Sequence, residues 1–184
     1  MFFCWVIFFE FDKDCLKIMS ETDQRFDVVT VGGGLVGAVG ALCFDKFAGS
    51  QFRQALIERG SLEDLSDFEK NNEIKSSGRA YALSESSRAI LDVLGLWDEM
   101  KDFAQPIQEV DISDSDLDSP FRPIFLNFSG EIALGKVGAY IIEHEPLAAP
   151  IYRALRSASS LEIFEGSQLE AMKHHASYVE LELD

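Results

Sequence analysis

The chain has 184 residues, of which 47% are hydrophobic and 26% charged, and this composition allows one domain with an apolar core. It carries 32 acidic and 16 basic residues, a formal net charge of −16 at pH 7. This charge repels nucleic-acid phosphates, which excludes a DNA or RNA partner, and it does not favour charge-driven binding to anionic lipid. The cysteines and histidines show neither disulfide nor zinc-ligand spacing, which predicts no metal site and favours a cytoplasmic protein.

The amino terminus, MFFCWVIFF, is strongly apolar. It is shorter than the roughly 20 residues of a bilayer span and lacks the basic start and cleavage site of a signal peptide. A more usual amino terminus begins at Met19, which is followed by SETDQRFDVV. We therefore expect residues 1–18 to be a non-native extension, with a short membrane-docking segment as the alternative, and residues 19–184 to form the domain.

The first half of that domain has the pattern of a nucleotide-binding α/β unit. A buried strand, a helix of small and apolar residues and a second buried strand are predicted at 27–31, 35–47 and 55–58, from the β-branched run and the helical spacing. Residues 61–78 are polar and predict a loop or a short helix. A helix over 84–100 is predicted next, with Ser84 as its cap and a break or end at Gly95.

From residue 106 the pattern changes to short strands. Strands are predicted within 107–113, 123–128 and 139–144, separated by an acidic loop at 111–119 and a glycine-punctuated connection at 129–138. We expect residues 106–142 to form part of an added antiparallel sheet. A helix over 145–158 and strands over 161–166 and 178–184 complete the domain, and His144 is interpreted as a polar residue at the end of a strand.

A glycine-rich turn, VGGGLVGAVGAL, joins the first strand to the first helix. Gly32, Gly34 and Gly37 have the spacing G-x-G-x-x-G: the first permits a sharp turn, the second leaves room for a pyrophosphate, and the third lets the helix approach the strand. Leu35 and Val36 begin the helix, so their unpaired amides and the positive end of the helix dipole favour an anion. The pattern predicts a dinucleotide phosphate site, although glycine turns also serve close packing alone.

An acid at the end of the second strand supports this interpretation. Glu58 follows Gly37 by 21 residues, where a carboxylate can accept hydrogen bonds from the adenosine ribose. An acid there disfavours a 2′-phosphate, so FAD or NAD is expected rather than NADP. Taken alone, Glu58 could be a solvated acid, and the adjacent Arg59 could contact adenine or face solvent.

Several segments together resemble the amino-terminal part of the FAD-dependent aromatic hydroxylases, in particular the ubiquinone-biosynthesis hydroxylases that act on polyprenylated phenols. The similarity covers most of residues 26–157. Its most specific part is R-A-x-A-L-S followed by S-x-x-x-L-x-x-L-G-L-W, carried here by Arg79 to Ser84 and by Ser87 to Trp97. The other matching segments are DVVTVGGGLVGAVGAL, ALIERG, PIQEVDISD and AYIIEHEPL.

The resemblance implies a Rossmann-like FAD-binding domain and an enzyme that uses NAD(P)H and oxygen to hydroxylate an aromatic, prenylated substrate. It places Arg79 at the FAD pyrophosphate, a role that a guanidinium fork suits; the alternative is a surface arginine that offsets acids such as Glu73. Relatives usually have an acid two residues before this arginine, where this chain has Ser77. A lipidic substrate implies peripheral contact with the inner membrane or a ubiquinone-biosynthesis complex.

The family's later FAD motifs have no counterpart in this sequence, so we expect an amino-terminal portion with little hydroxylase activity by itself. We assign no catalytic acid or base. Two alternatives stay open: another flavoprotein of the same fold, such as a halogenase or prenyl reductase, and a non-catalytic nucleotide-binding remnant.

Overall fold

The computed structural model describes residues 5–7, 16–19, 23–62, 65, 77–113, 123–133 and 136–184. They belong to two compact units, one built from Met1–Asn72 and Ala148–Asp184 and the other from Glu73–Leu147. The described α-helices are α1 (Leu35–Ala48), α2 (Glu85–Leu94), α3 (Trp97–Met100) and α4 (His144–Ser157). The described strands are, in chain order, β1 (Trp5–Ile7), β2 (Leu16–Met19), β3 (Asp23–Phe26), β4 (Val28–Val31), β5 (Gln54–Glu58), β6 (Ala80–Ser84), β7 (Gln105–Pro106), β8 (Glu109–Ile112), β9 (Leu126–Ser129), β10 (Glu131–Ala133), β11 (Lys136–Val137), β12 (Ala139–Glu143), β13 (Leu161–Glu165), β14 (Leu169–His174) and β15 (Val179–Leu183).

The first unit contains a sheet of order β1-β4-β5-β13. The strands β4, β5 and β13 are parallel, whereas β1 pairs antiparallel with β4. Val29, Ala55 and Leu56 are fully buried, as expected for parallel strands covered on both faces. The strands predicted at 27–31, 55–58 and 161–166 are confirmed.

A second sheet of the same unit has the order β14-β15-β2-β3. An apolar cluster joins residues of both sheets: Phe26, Val29, Ala55, Ile57, Val179 and Leu181. The predicted carboxyl-terminal strand is confirmed, with Val179 and Leu181 buried and the intervening Glu180 partly exposed. The backbones of β1 and of most of β2 belong to residues 1–18, whose non-native origin stays a prediction.

The second unit is built from short antiparallel pairings. One sheet has the order β6-β12-β7, and β8 pairs with β9 and β10 with β11. The helix predicted over 84–100 is confirmed with its break: the Ser84 Oγ accepts from the Ser87 amide at 3.2 Å, and Gly95 ends α2 in the left-handed region at φ 81°. A glycine suits that conformation because it lacks a Cβ.

The second unit also differs from the sequence expectation. The connection over 129–138 contains the β10–β11 pair, and Gly130 is required there because a Cβ would overlap the carbonyl oxygen of Ile107. His144 directly follows β12, as its interpretation as a strand-end residue expects, but it also begins α4 and is buried, which the sequence did not predict. Most of the predicted loops at 61–78 and 111–119 lies outside the described residues. Among the helices that the structure describes, none is long and apolar enough to cross a membrane.

Candidate functional site

The glycine turn lies in the first unit, at the carboxyl end of β4. Gly32 leaves the strand with φ 101°, a value that L side chains rarely adopt, and its amide donates to the carbonyl of Ile57 on the next strand at 2.8 Å. The chain therefore turns sharply while it stays attached to β5, as the first glycine of the motif predicts.

Gly33 is the tightest position of the turn. Its amide donates to Glu58 Oε2 at 2.6 Å. A Cβ at Gly33 would lie 2.8 Å from Leu62 Cδ2 and 3.1 Å from Glu58 Cβ, closer than ordinary van der Waals contact. Sequence reasoning assigned no role to Gly33; the signal for it was the uninterrupted run of three glycines.

Gly34 caps the helix and is open. It has φ −63° and ψ 173°, and no side chain in the described part of the chain caps the helix. Apart from its own chain neighbours, a Cβ placed on Gly34 would meet no described residue within 4 Å. The first turn of α1 contains no acid, so the amides of Leu35 and Val36 and the helix dipole can face an anion.

Gly37 lies on the buried side of the same helix. It is buried together with Ala38, Ala41 and Leu42, and the first helical hydrogen bond runs from the Ala38 amide to the Gly34 carbonyl at 2.9 Å. Small residues on this face let α1 approach the parallel strands closely, as the third glycine of the motif predicts.

Glu58 connects the turn to the loop that follows β5. Its Oε1 accepts from the Gly60 amide at 2.9 Å while its Oε2 holds Gly33. The loop is also tied to the end of β13, because the Gly166 amide donates to the Gly60 carbonyl at 3.0 Å and Ser61 Oγ lies 3.0 Å from Glu165 Oε2. Arg59 is exposed at this edge of the sheet.

Arg79 belongs to the second unit. It is exposed and directly precedes β6. Its amide donates to Ser77 Oγ at 3.4 Å, and its carbonyl accepts from the His144 amide at 3.0 Å. Both the amide and the carbonyl of Arg79 are therefore hydrogen-bonded, which holds the backbone that carries the guanidinium.

The structure brings most of the predicted site residues together at one edge of the parallel sheet: Gly32, Gly34, Leu35, Val36, Gly37, Glu58 and Arg59. Arg79 lies in the second unit and is not part of this group. Two open amides, a glycine with free space in front of it and a neighbouring carboxylate fit an anion linked to a sugar. The residues present therefore fit a dinucleotide, and their roles as its ligands stay predictions.

The chain was compared with known proteins in sequence and in fold. No protein-family model matches the chain. The chain is 26% identical to ubiquinone hydroxylase UbiL of Rhodospirillum rubrum over 159 residues, which cover 85% of this chain and 33% of that protein.

Solved structures give the fold. The p-nitrophenol 4-monooxygenase PnpA of Pseudomonas putida DLL-E4 superposes with a TM-score of 0.61 at 20% identity, over 92% of this chain and 36% of that one. The flavin-dependent monooxygenase PieE, solved in complex with FAD and substrate, gives a TM-score of 0.54 at 15% identity, over 84% of this chain and 28% of that one.

The chain spans about a third of the length of these proteins. It is similar to ubiquinone hydroxylase in sequence and to flavin-dependent monooxygenases in fold. These findings confirm the resemblance to the FAD-dependent aromatic hydroxylase family that the sequence motifs predicted.

Proposed function

We propose that the glycine turn of the first unit binds the pyrophosphate of FAD in a Rossmann-like strand, turn and helix. One observation carries this proposal: α1 begins at Gly34, which has no side-chain cap among the described residues, and a Cβ added there would lie more than 4 Å from every described residue apart from its own chain neighbours. A phosphate oxygen can therefore reach the amides of Leu35 and Val36 without meeting a side chain. The fold shared with PieE, a structure that contains FAD, supports FAD as the dinucleotide.

Glu58 is proposed to hold the adenosine ribose. Each of its carboxylate oxygens accepts one hydrogen bond from a backbone amide, which leaves lone pairs for the ribose hydroxyls. The negative charge also repels a 2′-phosphate, which disfavours NADP at this turn. Arg59 is proposed as an adenine-side contact, and Arg79 as a bidentate contact to the pyrophosphate.

The absorption spectrum of the purified chain tests FAD binding, after incubation with FAD and removal of the excess. The Gly34→Val variant is measured beside it, because a Cβ at this position contacts none of the described residues within 4 Å and the branched side chain closes the approach of a phosphate. We expect bound flavin in the parent and none in the variant. Equal flavin retention by the two folded proteins would refute the assignment.

We propose further that the whole protein hydroxylates an aromatic ring with NAD(P)H and oxygen. When bound, FAD supplies the redox chemistry, and the protein binds and orients it. In this chain the Leu35 and Val36 amides would donate hydrogen bonds to the phosphate oxygens, and Glu58 would hold the adenosine end. The sequence similarity to a ubiquinone hydroxylase supports a polyprenylated phenol as substrate, with peripheral contact to the inner membrane or to a ubiquinone-biosynthesis complex.

Residues 19–184 are proposed to be an incomplete FAD-binding domain, with residues 106–142 as part of the substrate-side sheet. We expect the purified chain to have little hydroxylase activity by itself. NADPH-dependent hydroxylation of a prenylated phenol, followed by mass spectrometry of the product, measures this directly. Turnover by the isolated chain would refute the expectation.

Residues 1–18 are proposed to be absent from the native product. Mass spectrometry of the protein made from the native gene gives its first residue, and a mature chain beginning at Met1 would refute this proposal.

A further inference from the structure

A buried histidine and a buried acid lie side by side at the start of α4. The exposed fraction is 3% for His144 and 5% for Glu145. The proposed FAD contacts use neither side chain. Both residues contact the backbone segment that carries Arg79.

Three hydrogen bonds fix that segment. The His144 amide donates to the carbonyl of Arg79 at 3.0 Å. The Ser77 amide donates to Glu145 Oε1 at 2.6 Å, and the Arg79 amide donates to Ser77 Oγ at 3.4 Å. Gly78, between the two held residues, has φ 72°, a conformation that only glycine adopts readily.

The imidazole of His144 adds a contact to Tyr81, two residues after Arg79. Its Nδ1 lies 3.2 Å from the hydroxyl of Tyr81, which belongs to β6. This strand pairs with β12, and Tyr81 stands opposite Ile142. His144 is thus held by its backbone to Arg79 and by its ring to the strand that follows.

The Glu145 carboxyl is well suited to hold Ser77. Burial raises its pKa, but the hydrogen bonds from Ser77 and from its own backbone amide, together with the neighbouring His144, outweigh burial and hold the pKa below its ordinary value. The carboxylate is therefore charged at neutral pH and forms a strong acceptor for the Ser77 amide. Its second oxygen, Oε2, is buried and has no hydrogen-bond partner among the residues that the structure describes, which has a free-energy cost.

We propose that His144 and Glu145 are positioning residues for Arg79: they hold the segment from Ser77 to Arg79 so that the guanidinium is fixed before the cofactor binds. The inference rests on the proposed function, in which Arg79 contacts FAD. A fixed segment loses less conformational entropy on binding than a free one. Releasing the backbone of one residue corresponds to about 5- to 30-fold weaker binding.

FAD dissociation constants of the parent, Glu145→Ala, Arg79→Gln and the double variant test this proposal. We expect Glu145→Ala to bind FAD about 5- to 30-fold more weakly. The double variant should bind no more weakly than Arg79→Gln alone, because Glu145 acts through Arg79. Glu145→Gln keeps an acceptor for the Ser77 amide and should restore most of the affinity, whereas Asp102→Ala removes an exposed acid of the same unit and should change nothing.

Tyr81→Phe provides a test that leaves the packing intact. It removes only the hydroxyl that contacts His144, and we expect about threefold weaker FAD binding that disappears in the Arg79→Gln background. The melting temperature without FAD, measured for every variant, identifies any that fail to fold.

Failure of the inference and failure of the proposed function give different results. If Arg79→Gln weakens FAD binding but Glu145→Ala and Tyr81→Phe bind like the parent, only the positioning role is wrong. The positioning role would also be overturned if the losses of FAD binding free energy in Glu145→Ala and Arg79→Gln added up in the double variant. A folded parent that binds no FAD would overturn the proposed function and this inference together.

Discussion

Two neighbouring glycines of the turn should respond in opposite ways to the same substitution. A methyl group at Gly33 would lie 2.8 Å from Leu62 Cδ2 and 3.1 Å from Glu58 Cβ, whereas at Gly34 it would meet none of the described residues beyond its chain neighbours within 4 Å. The Gly34 dihedrals, φ −63° and ψ 173°, are also allowed for alanine. Gly33→Ala should therefore disturb the protein itself, and Gly34→Ala should disturb only its ligand.

The structure sets the size of each effect. Overpacking at Gly33 should lower the free energy of unfolding by about 1–3 kcal/mol, because Leu62 and Glu58 must move and the 2.6 Å bond from the Gly33 amide must stretch. At Gly34, alanine lowers the conformational entropy of the unfolded chain, and this stabilisation offsets the weaker helix cap. The free energy of unfolding should therefore change by no more than about 0.5 kcal/mol. Loss of a charge-assisted bond to phosphate should weaken FAD binding by about 10- to 150-fold in Gly34→Ala.

Urea unfolding without ligand and FAD titration by flavin fluorescence measure the two effects separately. The turn geometry would be refuted if Gly34→Ala lost more than about 1 kcal/mol of stability or if Gly33→Ala were as stable as the parent. Unchanged FAD affinity in Gly34→Ala would refute the phosphate site.

Three further predictions test the surroundings of the site. Glu58→Ala removes acceptors from the Gly33 and Gly60 amides and should destabilise the chain by about 2 kcal/mol in urea unfolding and weaken FAD binding; a variant as stable as the parent would contradict this contact. Ser84→Ala removes the α2 cap and should cost about 1 kcal/mol without changing FAD affinity, so a parallel loss of both would show that its effect is not local. The pKa of the Glu145 carboxyl is lowered from its ordinary value of 4.5, so its ionised form stabilises the fold at pH values above 4.5, and this stability should be lost as the pH falls below 4.5 and through the lowered pKa. Acid unfolding curves that coincide for the parent and Glu145→Gln would argue against a lowered pKa.

The elements of the glycine turn were predictable because their signals are local. A strand, three glycines and a small-residue helix occupy consecutive residues, and the Ser84 cap and Gly95 end of α2 are also encoded where they act. Glu58 could be placed at a strand end from its spacing alone. Its contact with Gly33, 25 residues away in sequence, could not, because the contact depends on how the β5 loop folds back.

The contacts around His144 were not predictable for the same reason. A histidine after a strand is usually polar surface, and its burial here depends on Tyr81, 63 residues earlier, and on the backbone of Arg79. The strand β14 was also missed, because its sequence, LEAMKH, is poor in the β-branched and aromatic residues that favour strands. The strand β14 forms because it pairs with β15, so tertiary contacts rather than local propensity decide its structure.

The central claim is that the glycine turn holds the pyrophosphate of a flavin dinucleotide. Calorimetric titration of the parent and Gly34→Val with FAD and with FMN, which lacks the pyrophosphate and the adenosine, tests it most directly. The parent should bind FAD at least about 100-fold more tightly than FMN, because FMN forgoes the amide contacts at the helix and the ribose contact of Glu58, and Gly34→Val should lose this preference. Equal affinities for the two flavins in the parent, or an unchanged preference for FAD in a folded Gly34→Val, would contradict the account.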